Sequence, residues 1–217
     1  SPVKRPTAEI REIADKAAAV VDISIEDPIG CPRYAARVIR GVKIGRSPWW
    51  MQQRLLASGI RAINSIVDIT NYVMLEYGHP LHAFDFANFA QPKVLVRRAT
   101  DGEVFRTLDG VDRKLISDVL LITDGVKPVA IAGIMGGEFS EVTEKTTDIL
   151  LESAYFDPSV IRRGRKYLGL QSESQTRFER GADPNIVPMA LDRVASLIER
   201  FASGRVLAGT VDVYPQK

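Results

Sequence analysis

The sequence predicts an α+β fold: central, β-sandwich-like sheets of mostly short strands, flanked by helices. Three observations carry this expectation. Short runs rich in β-formers cluster in the middle of the chain and are separated by Asp-Gly pairs that favour tight turns. Segments with apolar residues at helical spacing lie before and after them, an order unlike a regular strand–helix alternation. Finally, 45% hydrophobic and 26% charged residues in a chain of 217 are enough for a sizeable core.

The elements follow in order. Residues 1–27 mix Pro, charge and Ala and read as an inter-domain connector leading into a first strand, Val20–Ile25. Residues 28–217 read as one domain, or as two interleaved subdomains. The start at Ser1-Pro2-Val3, with no initiator methionine, suggests a piece of something longer. Arg33–Ile44 is a strand broken at Gly41. Ser47-Pro48 then supplies an N-cap and a first-turn Pro for a helix from Trp49 to Ser58, whose inner face takes Trp50, Met51 and Leu55. Asn64-Ser65 opens a second helix with Ile66, Ile69 and Val73 as its apolar stripe and Gly78 as its stop. The central strands are Val94–Arg98, Val104–Leu108, Val119–Thr123 and Val129–Ala132, with turns at Asp101-Gly102, Asp109-Gly110 and Asp124-Gly125. A buried strand is expected at Ile149–Ala154. Helices should follow from Asp157-Pro158 and from Asp183-Pro184, the latter running to about Ala202, before a last strand at Gly209–Tyr214.

No run approaches the ~18 apolar residues of a membrane span, and no secretory leader is visible, so a cytoplasmic protein is expected. The single cysteine, Cys31, excludes an internal disulfide and fits a reducing compartment. A net charge of +2 decides little. Between Ile161 and Arg180, however, Arg162, Arg163, Arg165, Lys166, Arg177 and Arg180 stand against only Glu173 and Glu179. That stretch is either a solvated helix face or a contact to phosphates.

Several chemistries can be set aside. The only histidines, His79 and His82, flank Pro80, so they do not share a helical face, and no H-E-x-x-H arrangement is present; metal binding is not expected. The Gly133-Ile-Met-Gly-Gly137 run has neither the GxGxxG spacing nor a following Lys-Ser or Lys-Thr. It reads as a tight turn or as a place where backbone approaches a ligand. No G-x-S-x-G elbow exists. Glu152 is the anomaly, a carboxylate inside the apolar run Ile149–Phe156. Burying it costs several kcal/mol unless it is hydrogen-bonded or paired. It either pairs with an arginine or waits for a ligand donor.

Taken in order, Arg33-Tyr34, Gly59-Ile-Arg61, Val67–Glu76, Gly78–Asp85, Leu108-Asp-Gly110, Gly133–Glu138, Leu151-Glu152 and Arg177–Pro184 closely resemble the central module of bacterial phenylalanine–tRNA ligase β subunits. The resemblance implies an editing domain that hydrolyses tyrosine wrongly attached to tRNA(Phe). It would sit in an (αβ)₂ parent whose α subunit, with ATP and magnesium, attaches phenylalanine. The domain itself would need no cofactor. By the same resemblance Glu152 accepts the tyrosine phenol, and His82 is the editing-site histidine, either a base or an orienter. Thr70 and Asn71 hold the aminoacyl group, Arg61 lies at the pocket edge, and Gly136 is a residue whose enlargement blocks the site. Ser172 and Ser174 line the pocket; Ser174 departs from the commoner Ala, and His79 from the usual Gln. A non-catalytic tRNA-binding scaffold is the rival expectation, and a free-standing editing protein a third.

Overall fold

In the computed structural model, residue 6 and residues 8–215 are described. The chain runs through β1 (Glu12–Lys16), β2 (Asp22–Ile25), β3 (Arg33–Arg40), α1 (Trp49–Ala57), α2 (Ser65–Tyr77), β4 (Leu81–Asp85), β5 (Lys93–Arg98), β6 (Val104–Arg106), β7 (Asp112–Lys114) and β8 (Leu120–Thr123). It continues with β9 (Pro128–Ile131), β10 (Met135–Gly136), β11 (Asp148–Tyr155), α3 (Pro158–Leu168), α4 (Glu173–Arg180), α5 (Val187–Ala202), β12 (Arg205–Ala208) and β13 (Val211–Val213). The predicted α+β class is what forms.

Two sheets organise these elements. One has the order β1-β12-β3-β11-β4, with β13 also pairing β3; the other has the order β10-β9-β8-β5-β2. β3 and β11 are buried along nearly their whole length, which is why both read as continuous apolar runs. Side chains alternate between two cores. Ile149 and Leu151 of β11 and Ile39 of β3 join Met51, Leu55, Ile69 and Leu191 beneath α1, α2 and α5. Leu150, Ala154 and Phe84 face the second sheet, meeting Val96, Ile122 and Ile131. The result is three layers: helices, sheet, sheet. Helices α3 and α4 close one end of the inter-sheet layer through Val160, Ile161 and Phe178.

Several local expectations hold for the stated reasons. Asn64 caps α2 by accepting from the N–H groups of Ile66 and Val67 at 3.1 and 3.0 Å, and Gly78 ends it with a left-handed φ of 70°. Asp157 caps α3 in the same manner. Other expectations are overturned. Residues 12–16, read as connector, form β1 and pair in parallel with β12; the buried guanidinium of Arg37 on β3 reaches both Glu12 and Asp192 and ties this edge to α5. Ser47 does not cap α1, because its hydroxyl donates to Asp68 at 2.5 Å instead. Trp50 is 37% exposed, its ring lying edge-on against Tyr72 at the surface.

Asp101-Gly102 is not a hairpin joining neighbours. Strand β5 pairs with β8, and the two-stranded β6–β7 ribbon is inserted between them, turning at Asp109-Gly110. Asp183-Pro184 makes a turn rather than a helix start, and α5 begins at Val187. The segment before it contains α4, which was not expected. Its short, strongly polar sequence has few apolar residues to mark a helical face.

Candidate functional site

β4 was also unexpected, and it matters most. No element is predicted from the sequence between Gly78 and Val94, yet Leu81–Asp85 is an edge strand antiparallel to β11, and the register sets His82 directly opposite Glu152. Directly opposed residues lie about 4.5–5.5 Å apart at Cα and share one face of the sheet. That face is the one turned to the second sheet, since Phe84 and Leu150 in the same rows belong to the inter-sheet core.

A cavity of about 430 Å³ opens there between the two sheets. Glu152 and His82 stand on one wall, Ile122 and Ile131 on the other, and Gly136, Leu108 and Asp109 close it from the β10 side. Ser172, Ser174 and Phe178 of the α4 region complete the lining. Five of the residues singled out by sequence therefore surround one space: His82, Gly136, Glu152, Ser172 and Ser174.

The functional ends of the facing pair diverge. Glu152 leans toward β3, where the wholly buried Tyr34 donates its hydroxyl hydrogen to Oε2 at 2.8 Å. Burial pushes the Glu152 carboxyl up to about 7, partly opposed by that hydrogen bond. Among the described residues no arginine pairs with it, against that alternative. His82 leans the other way. A Cβ placed on Gly136 would lie 2.9 Å from its Cε1, 3.1 Å from its Nε2 and 3.0 Å from Leu108 Cδ1. The ring stacks edge-on against Phe84 at 4.4 Å, and desolvation alone lowers its pKa to about 4. It is neutral at pH 7. The ladder makes His82 and Glu152 nearest neighbours whose heads point apart.

The turn before β10 takes its tight-turn form. Gly133 has φ 66°, and a Cβ there would lie about 3 Å from Ile161, Phe156 and Phe178. The N–H groups of Ile134 and Gly137 are engaged by the carbonyls of Ile131 and Val129, so neither is free to hold an oxyanion. Ser172 is the N-cap of α4, accepting from Gln175 N–H and donating to the Ile134 carbonyl, each at 3.0 Å. Both capacities tie α4 to the turn. Ser174 is freer, with only a long 3.9 Å contact to the Met74 sulfur.

The structure does not bring Arg61, Thr70 and Asn71 into this wall. Arg61 is exposed in the segment between α1 and α2, and the Thr70 hydroxyl is turned back to the Val67 carbonyl at 2.8 Å. Asn71 is half-buried on α2. α2 approaches the site one turn later, through Met74. Among the basic residues of α3, Arg162 pairs with Glu179 and Arg163 lies 3.9 Å from Asp118. Arg162 and Arg165 join Arg180 around a separate polar depression of about 410 Å³, while Arg163 and Lys166 do not line it. His79 is 1% exposed, packs edge-on to Phe178, and has no hydrogen-bond partner on either ring nitrogen among the described residues. Tyr34, Leu108 and Asp109 were not singled out, although the blocks Arg33-Tyr34 and Leu108-Asp-Gly110 carried the signal.

A family model described as the B3/4 domain matches residues 30–203. A phenylalanine–tRNA ligase beta subunit from Geobacter sulfurreducens is 60% identical over 193 residues, covering 89% of this chain and 24% of that protein. One from Geobacter metallireducens is 55% identical over 214 residues, covering 99% and 27% respectively. The chain thus spans about a quarter of the length of these curated relatives. The crystal structure of an N-terminal fragment of the phenylalanyl-tRNA synthetase beta-subunit from Pyrococcus horikoshii superimposes with a TM-score of 0.59 over 96% of this chain and 56% of that one; at 14% identity the likeness is one of fold.

Proposed function

Because this chain belongs to the B3/4 domain family and is similar along its length to phenylalanine–tRNA ligase beta subunits, we propose that it is the editing module of such a subunit. Its reaction is hydrolysis of the ester in tyrosyl-tRNA(Phe). The parent works in the cytoplasm as an (αβ)₂ complex, and ATP and magnesium serve the synthetic site of the α subunit. No helix among the described residues is long and apolar enough to cross a membrane.

The observation that carries the reading is a mostly apolar cavity with a half-satisfied buried carboxylate in its wall. A synthetic pocket built for phenylalanine discriminates weakly against an isostere with one extra hydroxyl, so a second site that requires the hydroxyl is needed. On this reading a tyrosine ring would lie between Phe84, Ile122 and Ile134, which line the cavity, with its hydroxyl donating to the open oxygen of Glu152. A phenylalanine ring would desolvate that oxygen and leave it unpaired, at a cost of about 1–3 kcal/mol or more for a charged acceptor. Glu152 already accepts one phenol, that of Tyr34, which supports its stereochemical fitness for a second.

His82 lines the same cavity, and on this reading the ester and its attacking water lie beside it. An imidazole with a pKa of about 4 holds a proton poorly at neutral pH, which favours a role in orienting the water over full proton abstraction. Water, positioning and an activated ester suffice for the step. The depression beside Arg162, Arg165 and Arg180 suits the tRNA backbone.

The test is deacylation of tyrosyl- and phenylalanyl-tRNA(Phe) by the parent enzyme. Preferential loss of tyrosine, abolished in Glu152→Ala and slowed in His82→Ala, is the expected outcome; equal, slow loss of both esters would overturn the reading. The low basicity of His82 favours one second reading, a scaffold that binds tRNA without editing. In that case tRNA affinity survives while neither ester is hydrolysed above background.

A further inference from the structure

We propose that Tyr34 is a positioning residue for ligand discrimination: its hydroxyl holds one oxygen of Glu152 so that the other faces the cavity as an ionised acceptor for a phenol. The inference rests on the reading of the cavity as a phenol-selecting site and concerns a residue that does not itself line it.

Tyr34 is fully buried in the inter-sheet core, on the strand next to β11, and its register partner is Ala154, two residues beyond Glu152 on the same face. A buried phenol needs an acceptor, and Glu152 is the acceptor it has. This bond draws the carboxylate toward β3 and away from His82. The second carboxylate oxygen has no hydrogen-bond partner among the described residues and is not sealed in, so it opens on the cavity that Glu152 lines.

The groups around the carboxyl offer no other help to the ionised form. Cys31, at the approach to β3, is a buried thiol whose effect on Glu152 is repulsive when ionised. His82 on β4 is neutral and leans toward Gly136. Asp109, on the β6–β7 turn, has its oxygens engaged by Thr107 and Arg113. Tyr34 is therefore the one neighbour whose hydrogen bond works against burial and holds the carboxyl near neutrality instead of higher. The ionised form both demands a donor and penalises its absence, so discrimination follows the fraction ionised.

The experiment measures binding of p-cresol, with toluene as control, as a function of pH in the full-length protein carrying this chain, for wild type and Tyr34→Phe. Wild-type affinity for p-cresol should rise with a midpoint near pH 7. In Tyr34→Phe the midpoint should move up by about one unit, with affinity lower by about fivefold at pH 7, about tenfold well below it, and restored above pH 9. 3-Fluorotyrosine at position 34, a stronger donor of the same shape, should move the midpoint down. An unchanged midpoint in both variants, a uniform loss at every pH, or pH-independent p-cresol binding in the wild type would each overturn the proposal. Because the readout is binding, it is separate from editing: a wild type that shows the profile but fails to hydrolyse tyrosyl-tRNA refutes the function and leaves the role of Tyr34 standing.

Discussion

On the helical side of β11, Ile149 and Leu151 are wholly buried and the buried hydroxyl of Ser153 donates to the Val187 carbonyl at 2.9 Å. On the other side, one residue along, Glu152 keeps an open oxygen and stands opposite an imidazole with no hydrogen-bond partner among the described residues. The same strand makes both surfaces. What differs is what covers them. Three helices seat their apolar faces on the first, whereas the second sheet covers the other incompletely and leaves a cavity beside edge strand β4. On the proposed reading, stability and function are separated by the two-residue period of a single strand. A polar group on the closed face finds a partner, and one on the open face remains available to a ligand.

The contrast can be broken most forcefully from the closed side. Leu151→Ala removes a fully buried side chain beneath the helices and should cost about 2–5 kcal/mol in chemical denaturation, while discrimination in whatever protein remains folded stays intact. Gly136→Ala should do the reverse. Its methyl group would press on His82 and Leu108, so tyrosyl-ester hydrolysis should fall by about 100-fold with most of the fold's stability retained, as read by deacylation beside a melting curve.

A smaller effect, opposite in sign, is expected at Glu152. Its folded pKa, raised to about 7 from an ordinary 4.5, means that the native state holds a proton the unfolded chain has released between those values. Stability from this group therefore declines as pH rises from about 4.5 to 7 and is flat above. Glu152→Gln, which can still accept from Tyr34, should gain about 1–3 kcal/mol at pH 8 and nothing below pH 4. If the variant is no more stable at pH 8, the carboxyl is not held against its solvation preference and the contrast between the faces weakens.

Much of this was legible in the residues. Asn64, Gly78 and Asp157 cap helices through chemistry confined to a few neighbours, so their sequence signals translate directly. The long runs of β3 and β11 announce central strands because both of their faces are apolar. Glu152 stood out as a carboxylate where only burial was possible. The failures share a cause. Ser47 has the residue type of a cap but found a better acceptor in Asp68 from the next helix. β1, β4 and α4 are short, and β4 begins directly after His79-Pro80, so local propensity says loop; pairing with β12 and β11, and packing of Phe178, decide otherwise. His79, marked in the sequence only as a departure from the usual Gln, is buried, with Phe178 of α4 lying against it.

Residue identity alone determined the α+β class, the caps of α2 and α3 and the one odd carboxylate, while the resemblance added an imidazole and a small residue to the candidate site. The class, the caps and the carboxylate follow from steric, capping and solvation preferences that act over a few residues. Tertiary structure decided the rest: that His82 is the direct neighbour of Glu152, that the two side chains turn away from each other toward Gly136 and Tyr34, and that Thr70 faces its own helix. Strand register and the gap between two sheets are set by long-range pairing and packing, and no local pattern encodes which oxygen of a carboxylate is left open.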